Sequence, residues 1–377
     1  MFMMHRTRKK GLVCPLDWGW GHAVRMIPII SLLDQSPEIQ VVLGVSGQSG
    51  QILQETFPGL KTVDMPSPRI AYSEGRSQIG KVVRQLPHFL ITTIREHDRL
   101  RRLVREEDIR CVISDNRYGL FHKKVISVLV IHQVRLKLPR KLKVLELLIN
   151  YLQSQCFKRF DRVWIPDRQG RHSIAGDLSV PYSSNVRYHH VGLLSRFWLS
   201  KATVRSSHID YAILVILSGP EPQRTILENM LTGQLQKLDQ SVLFIRGIID
   251  ETLPAAATNI LFLSRMKPVD MASAVARSGM VICRSGYSSI MDLIAAGKRA
   301  LLIPTPGQPE QEYLAKTMQK KGYFFYQHQD KLDIPYALKV SGNYQPPQMN
   351  DFSPELYIQL KWLTNRLKEQ ESKEEHR

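Results

Sequence analysis

Short apolar runs alternate along the chain with longer amphipathic segments. In the first half, the apolar runs predict strands at Gly11–Pro15, Gln40–Val45, Gly59–Asp64, Arg110–Ser114, Ser127–Ile131 and Arg162–Ile165. The segments between them predict helices at Ala23–Leu33, at Ile79–Arg105 with an interruption at Pro87, and at Leu142–Phe160. Strands that alternate with helices are typical of a parallel sheet covered by helices on both faces.

The second half repeats this alternation. Its predicted strands are Tyr211–Leu217, Ser241–Ile245, Ile260–Leu263, Val281–Cys283, Ala300–Ile303 and Phe324–Tyr326. Its predicted helices are Gln223–Leu238, a segment that ends at Ala296, Gln311–Lys321 and a final helix from Pro354. The non-periodic stretch Gly192–Asp210 separates the halves. We therefore predict an α/β protein with Rossmann-like domains at residues 1–195 and 196–352, followed by a helix and charged tail at 353–377.

The loops that follow the predicted strands are where function is expected. In open parallel sheets, ligands bind beyond the carboxyl ends of the strands. The loops in question follow Pro15, Ser114, Leu217, Cys283 and Ile303. They also contain the residues whose chemistry is unusual for a connecting segment.

Charge and cysteine content restrict the class of partner. The 377 residues carry a formal net charge of +18, which implies an anionic partner such as nucleic acid, anionic lipid or a sugar-nucleotide phosphate. No nucleic-acid-binding motif is present, so we expect no nucleic acid partner. The four cysteines form no CxxC pair and are expected to be core residues in a reducing cytoplasm, with no metal site. No apolar run approaches the roughly 18 residues that span a bilayer, which predicts a soluble or peripheral protein.

The segment that begins at Arg284 has the composition of an anion-binding turn. Gly286 permits close approach of the backbone to a ligand, and the start of the following helix offers free N–H groups. The hydroxyls of Ser285, Ser288 and Ser289 add donors suited to a diphosphate. Asp292, farther along the helix, is placed to accept hydrogen bonds from ribose. The alternative is an ordinary capped helix with a carboxylate in solvent.

A second polar pair follows the strand that ends at Ile303. Gln311 and Glu312 stand at the predicted start of a helix, where side chains with donors and acceptors suit sugar hydroxyls. The alternative is that Glu312 only complements the helix dipole in the first turn.

Together these two segments resemble the C-terminal donor domain of glycosyltransferase family 28. The resemblance implies a GT-B fold, in which two Rossmann-like parallel-sheet domains face an interdomain cleft. It implies that Arg284 to Ser289 hold the diphosphate, that Asp292 binds ribose, and that Gln311 and Glu312 bind the sugar. The family has two glutamines at the last two positions, so Glu312 departs from the pattern.

The same resemblance assigns three further donor contacts. The segment Phe262–Met266, with Leu263 and Met266, matches the one whose backbone reads uracil. Arg196 matches an interdomain arginine that helps to hold the base. Ser218 and Gly219 stand in place of a second glycine-rich phosphate loop, although this loop departs from the family pattern in having one glycine and two prolines.

The turn after the first strand supplies a candidate base. Gly21 and His22 match a glycine-histidine pair in the family, whereas Asp17, Trp18 and Trp20 do not; Gly19 and Gly21 permit a tight turn. His22 is a candidate general base or a structural residue. Asp115 is a candidate to orient His22, to act as the base itself or to cap the next segment. Asp17 to Gly21, together with Asn116 and Arg117, are assigned to the acceptor side.

The resemblance implies an inverting, metal-independent transferase. It would move a sugar, N-acetylglucosamine or a related hexose, from a UDP-sugar to a saccharide or to a polyprenyl- or lipid-linked acceptor. No cofactor is expected, because the UDP-sugar is a co-substrate. The alternatives are a sugar-nucleotide epimerase of the same fold and a non-catalytic partner subunit of a membrane glycosyltransferase.

Two stretches predict contact with an anionic membrane surface. Ile79–Arg105 and Arg135–Phe160 both mix basic residues with an apolar face. The alternative is an amphipathic core helix with a solvated basic face. Membrane contact implies a cytoplasmic protein on the inner face of the plasma membrane.

Overall fold

The computed structural model describes residues 8–67, 79–136, 143–199, 208–248, 254, 257–348 and 354–375, without the side chains of 79–86, 199, 269 and 375. The chain divides into two compact units. The first comprises Met1–Arg69, Gln85–Leu194 and Asp351–Arg377, and the second comprises Ile70–Arg84 and Ser195–Asn350. Lys137, Leu138, Arg140, Lys141 and Leu142 of the predicted membrane stretches lie outside the described residues, as do the side chains of Lys81 to Leu86.

The first unit is built on a seven-stranded parallel sheet in the order β3-β2-β1-β4-β5-β6-β7. The strands are β1 Lys9–Cys14, β2 Ile39–Val45, β3 Lys61–Asp64, β4 Ile109–Asp115, β5 Ile126–Val130, β6 Arg162–Ile165 and β7 Tyr188–His190. The central strands are buried almost throughout, as expected of strands covered on both faces. The carboxyl ends of β1 and β4 are adjacent, because Cys14 pairs with Ser114.

Helices α1 Trp20–Asp34, α2 Gly47–Thr56, α3 Ile79–Glu106, α4 Lys143–Phe157 and α10 Pro354–Glu375 accompany this sheet. α1 follows β1 directly and buries an almost unbroken run of side chains from Ala23 to Ile30. One core cluster joins Leu12, Val42 and Val112 of the strands to Leu100 and Leu103 of α3. This cluster therefore packs α3 against the sheet.

The second unit contains a six-stranded parallel sheet in the order β10-β9-β8-β11-β12-β13. The strands are β8 Tyr211–Ile216, β9 Val242–Ile245, β10 Ile260–Leu263, β11 Ser278–Cys283, β12 Ala300–Leu302 and β13 Phe325–Tyr326. The helices are α5 Gln223–Leu235, α6 Pro268–Ala276, α7 Tyr287–Ala296, α8 Pro309–Lys320 and α9 Ile334–Ser341. Two parallel-sheet α/β domains are thus confirmed.

The structure corrects several element boundaries. α3 continues through Pro87, where an interruption was predicted, and packs Thr92, Glu96, Leu100 and Leu103 against the unit beyond that residue. α2 was not predicted, because only Ser49, Gly50 and Leu53 of its residues are buried and no apolar stripe marks it. α1 and α8 begin at Trp20 and Pro309, earlier than predicted. In the described part of the chain, no helix is both long and apolar enough to cross a bilayer.

Candidate active site

His22 and Asp115 meet at the carboxyl edge of the first sheet. His22 lies in the first turn of α1, and Asp115 is the last residue of β4. His22 Nδ1 is 2.7 Å from Asp115 Oδ2. The imidazole has 14% of its surface exposed and the carboxylate none, so the pair has one buried member and one that reaches the surface. This is the geometry of a base held in position by a carboxylate.

Arg25 and His132 extend the pair into a buried network. Arg25 Nε and Nη2 donate to Asp115 Oδ1 at 2.8 and 2.5 Å. Arg25 Nη2 is also 2.8 Å from His22 Nδ1, and Arg25 Nη1 is 2.8 Å from His132 Nδ1. Sequence reasoning missed both residues. The available signal was the spacing of Arg25, which is three residues after His22 and hence on the same face of a helix.

The network keeps His22 neutral and Asp115 ionised. Burial is the largest cause that lowers the pKa of His22, and the charge of Arg25 lowers it further. Burial raises the pKa of Asp115, but the charge of Arg25 and the hydrogen bonds from His22 and Arg25 outweigh it, so this pKa lies below its ordinary value. A neutral imidazole beside a permanent carboxylate is able to accept a proton at neutral pH.

The loop before α1 is anchored at Asp17 and accessible at its tip. Asp17 Oδ1 accepts from the Ser49 amide at 3.0 Å, and the Asp17 amide donates to Ser67 Oγ at 3.1 Å. Gly19 has a φ of 80°, which favours glycine at the residue before α1. Trp18 lies parallel to the His22 ring, with centroids 6.4 Å apart. Trp18, Trp20 and Gly21 are partly exposed.

Asn116 and Arg117 differ in their surroundings. Asn116, with a φ of 53°, is partly exposed and accepts from the Tyr118 hydroxyl at 3.3 Å. Arg117 has a fully buried side chain, so it does not form part of the exposed surface of the acceptor-side loop. It pairs with Glu96 at 2.9 Å and donates to the carbonyl oxygens of Pro15 and Pro66. Arg117 therefore braces the loop from inside.

In the second unit, the start of α7 presents an uncapped helix N-terminus. Gly286 is its N-cap residue, with a φ of −69°, and makes no side-chain capping bond. The amide of Ile290 donates to the Gly286 carbonyl at 3.0 Å, which closes the first turn. Ser288 and Ser289 lie in this turn and are partly exposed. N–H groups at a helix start, together with the helix dipole, favour an anion.

Arg284 ties three loops together beneath that N-terminus. It is 1% exposed and donates to the carbonyl oxygens of Gln223, Ile303 and Pro304, the first at 2.7 Å. Burial lowers its pKa to about 9, so the guanidinium stays charged at neutral pH. The resemblance implied that the turn from Arg284 to Ser289 holds the diphosphate. Within that turn, Arg284 directs these donors to backbone carbonyls.

The first turn of α8 is held against the same turn. Ser285 Oγ donates to the Gln311 carbonyl at 2.8 Å. Gln311 Oε1 accepts from the Thr305 amide at 2.9 Å, and Gln311 Nε2 lies 2.5 Å from Gln308 Oε1. The oxygen and the nitrogen of the Gln311 side-chain amide therefore both hydrogen-bond within the loop. Glu312 is partly exposed beside it.

Asp292 is engaged by two residues that precede β8. Ser195 Oγ donates to Asp292 Oδ1 at 2.6 Å, and Arg196 Nε donates to Asp292 Oδ2 at 3.0 Å. Burial raises the pKa of Asp292, against the opposing charge of Arg196. Sequence reasoning assigned Asp292 to ribose and Arg196 to the base, whereas the structure pairs the two with each other. The sequence did not predict Ser195 as a donor-side residue.

The remaining predicted donor residues lie on the same edge of the second sheet. Ser218 and Gly219 follow β8, which lies beside β11, and Gly219 has a φ of 104°. Leu263 ends β10, and Met266 precedes α6. In the described ranges, no three His, Cys, Asp or Glu side chains are grouped closely enough to hold a metal ion.

Sequence comparison supports the resemblance in the second unit. Residues 259–341 match the profile of the glycosyltransferase family 28 C-terminal domain. A stretch of 55 residues is 44% identical to the UDP-N-acetylglucosamine--N-acetylmuramyl-(pentapeptide) pyrophosphoryl-undecaprenol N-acetylglucosamine transferase of Syntrophotalea carbinolica. That match spans 14% of this chain and 15% of the length of the curated relative.

Solved glycosyltransferases share the fold over most of their length. MurG of Acinetobacter baumannii is 13% identical, with a TM-score of 0.52 over 88% of this chain and 89% of that one. SnogD of Streptomyces nogalater is 14% identical, with a TM-score of 0.58 over 97% and 95%. A UDP-glucosyltransferase of Polygonum tinctorium is 13% identical, with a TM-score of 0.59 over 96% and 93%. The chain therefore has the GT-B fold of two parallel-sheet α/β domains, and residues 259–341 resemble the glycosyltransferase family 28 C-terminal domain.

Proposed function

We propose that the protein transfers a sugar from a UDP-sugar to an acceptor hydroxyl. The observation that carries this proposal is the contact of 2.7 Å between His22 and Asp115 at the carboxyl edge of the first sheet. The match to the family 28 C-terminal domain and the activities of the similar glycosyltransferases support a sugar nucleotide as donor. The Syntrophotalea relative is named as an N-acetylglucosamine transferase. We therefore propose that the transferred sugar is N-acetylglucosamine or a related hexose.

In the proposed reaction, His22 acts as the general base. Its Nδ1 faces Asp115, which leaves Nε2 to take the proton of the acceptor hydroxyl. The acceptor oxygen forms a bond to the anomeric carbon as the bond from that carbon to UDP breaks, which inverts its configuration. The proton is then on His22, and the imidazolium is stabilised by Asp115. Arg25 holds Asp115 in place and in its ionised form.

The start of α7 is assigned to the leaving diphosphate. Its first-turn N–H groups and helix dipole stabilise the negative charge that develops as UDP departs, without a metal ion, as the family resemblance implies. Arg284 and Ser285 act through the loops that they hold, since their donors bond to backbone carbonyls. Asp292 has a positioning role, because its carboxylate holds Ser195 and Arg196 in place on the donor side.

Gly286→Ala tests the assignment of α7. At φ −69° an alanine is unstrained, and the nearest atom to its Cβ is Ser289 Oγ at 3.9 Å. We therefore expect an unchanged melting temperature, with UDP affinity at least about tenfold lower, or ~1.4 kcal/mol, because the methyl group occupies the space over the helix start. Titration calorimetry with UDP measures the effect.

Gly233→Ala is the matched control for that variant. Gly233 lies in α5, and a Cβ there meets no atom within 4 Å. The control is expected to bind UDP as the parent protein does. If Gly286→Ala also keeps the parent affinity, UDP does not approach the start of α7 and the donor assignment is wrong.

We also propose that the first unit contacts a membrane that carries a lipid-linked acceptor. On α4, Val144, Leu148 and Leu152 lie at successive turns with 82%, 53% and 54% of their surface exposed. On α3, Leu90, Ile91 and Ile94 are also exposed, and both helices contact Tyr118 through Phe89 and Phe157. Exposed apolar surface of this extent marks an interaction site. The undecaprenol-linked acceptor named for the curated relative supports a lipid, at the inner face of the plasma membrane.

A double variant tests the membrane contact. Leu148→Glu with Leu152→Glu places two charges on the exposed face of α4 and is expected to reduce the fraction that co-sediments with phosphatidylglycerol vesicles at least fivefold. Ile226→Glu, at an exposed position of α5, is the control and should leave binding unchanged. Equal co-sedimentation of both variants would reject the contact.

A further inference from the structure

A basic cavity lies beneath α10, at the amino end of β6. Its volume is about 540 Å³, and Arg162, Arg187, Lys361 and Arg366 line it together with Trp362. Arg162 is the first residue of β6. His22 and Asp115, by contrast, follow the carboxyl ends of β1 and β4. The cavity is therefore at the opposite edge of the sheet from the candidate base.

The positive charge in this cavity is not balanced by its carboxylates. Glu369 pairs with Arg366 at 2.8 Å, and Asp161 accepts from the Ser127 amide at 2.8 Å. Arg187 and Lys361 make no ion pair within the part of the chain that the structure describes. Farther along α10 the pattern is different, because Glu371 and Glu374 pair with Lys9 and Arg110. The excess positive charge is therefore concentrated at the cavity and does not extend along the whole of α10.

Arg162 is held in a fixed orientation at the cavity wall. Its guanidinium lies 3.7 Å from the centre of the Trp362 ring and donates to Gln359 Oε1. Burial lowers the pKa of Arg162, and the charge of Arg187 lowers it further. The fold therefore brings two guanidinium groups close enough to repel, an arrangement that an anion between them would relieve. A planar guanidinium with a fixed orientation matches the oxygen atoms of a phosphate group.

We propose that this cavity binds a phosphate group, carried by a soluble phosphate ester or by a lipid headgroup. Arg162 supplies an oriented fork, and Arg187 and Lys361 supply the unpaired charge. Trp362 reports on occupancy, because its ring contacts Arg162 directly. The site is separate from the residues assigned to sugar transfer. A test of phosphate binding here therefore does not depend on whether the protein transfers a sugar.

Phosphate titrations of two charge-matched variants test the site. Arg187→Gln with Lys361→Gln removes two charges from the cavity, whereas Lys123→Gln with Lys124→Gln removes two exposed charges elsewhere in the same unit. Inorganic phosphate and glycerol phosphate are titrated at constant ionic strength, with tryptophan fluorescence as the readout and Trp362→Phe to identify the reporting ring. Thermal unfolding confirms that each variant is folded.

We expect phosphate to change the fluorescence of the parent and of the Lys123/Lys124 variant, with Kd at least tenfold higher in the Arg187/Lys361 variant. A soluble ligand is indicated if the free phosphates bind. A lipid headgroup is indicated if only phosphatidylglycerol vesicles produce the Arg187/Lys361-dependent change. The proposal is overturned if the Arg187/Lys361 variant matches the control with both phosphates and with vesicles.

Discussion

Replacement of His22 by alanine is expected to lower the rate of sugar transfer by about 10² to 10⁴-fold, the contribution of a positioned general base. The variant loses an imidazole that contacts both Asp115 and Arg25. UDP affinity should change little, because His22 lies in the first unit and the assigned donor residues lie in the second. Turnover under saturating donor, together with a UDP titration, separates the two effects.

The pH dependence of activity is a second test of the role of His22 as general base. His22 must be neutral to accept a proton, so activity rises with pH as the imidazole loses its own proton. Burial and Arg25 lower the pKa of His22, which places this rise below the ordinary histidine range. Arg25→Gln removes one of these causes and is expected to move the rise to higher pH. If His22→Ala turns over at the rate of the parent protein, His22 is not the general base.

Arg117→Met is expected to lower the free energy of unfolding by about 3–5 kcal/mol, the usual effect of removing one member of a buried ion pair. The side chains of Arg117 and Glu96 are 0% and 2% exposed, and the pair is 2.9 Å apart. The substitution leaves Glu96 without its cation, and it leaves the Pro15 and Pro66 carbonyls without a donor. Chemical denaturation at neutral pH measures the loss.

A second variant separates the ion pair from the backbone contacts. Arg117→Met combined with Glu96→Leu removes both charges and should recover part of the lost stability, because no uncompensated carboxylate remains. Arg110→Met is the control, since that arginine forms pairs with Asp108 and Glu374 that are exposed to solvent. A loss no larger in Arg117→Met than in Arg110→Met would contradict the structural role given to Arg117.

The parallel-sheet architecture was predictable because both halves have a strong local signal. Apolar runs such as Arg110 to Ser114 are short, bounded and buried on both faces, so they identify strands without tertiary information. α2 lacked any such signal, since most of its side chains face solvent. Pro87 misled the prediction because proline usually ends a helix, whereas packing beyond it allows α3 to continue.

The candidate site was predictable only in part. Loop position at the carboxyl ends of strands predicted His22 and Asp115 in the first unit and the start of α7 in the second, because the topology of each parallel sheet alone brings such loops to its carboxyl edge. Long-range partners were beyond the sequence: Arg25 reaches Asp115 from 90 positions away, and Arg196 reaches Asp292 from 96. The sequence also did not predict that Arg117 and Arg284 donate hydrogen bonds to backbone carbonyls.

Hydrogen exchange in the presence and absence of UDP tests the central claim most directly. The account predicts that saturating UDP slows amide exchange at residues 286–290, with Gly286→Ala abolishing the protection and Gly233→Ala retaining it. Protection elsewhere in the chain with unchanged exchange at the start of α7, or no protection at any residue, would contradict the account.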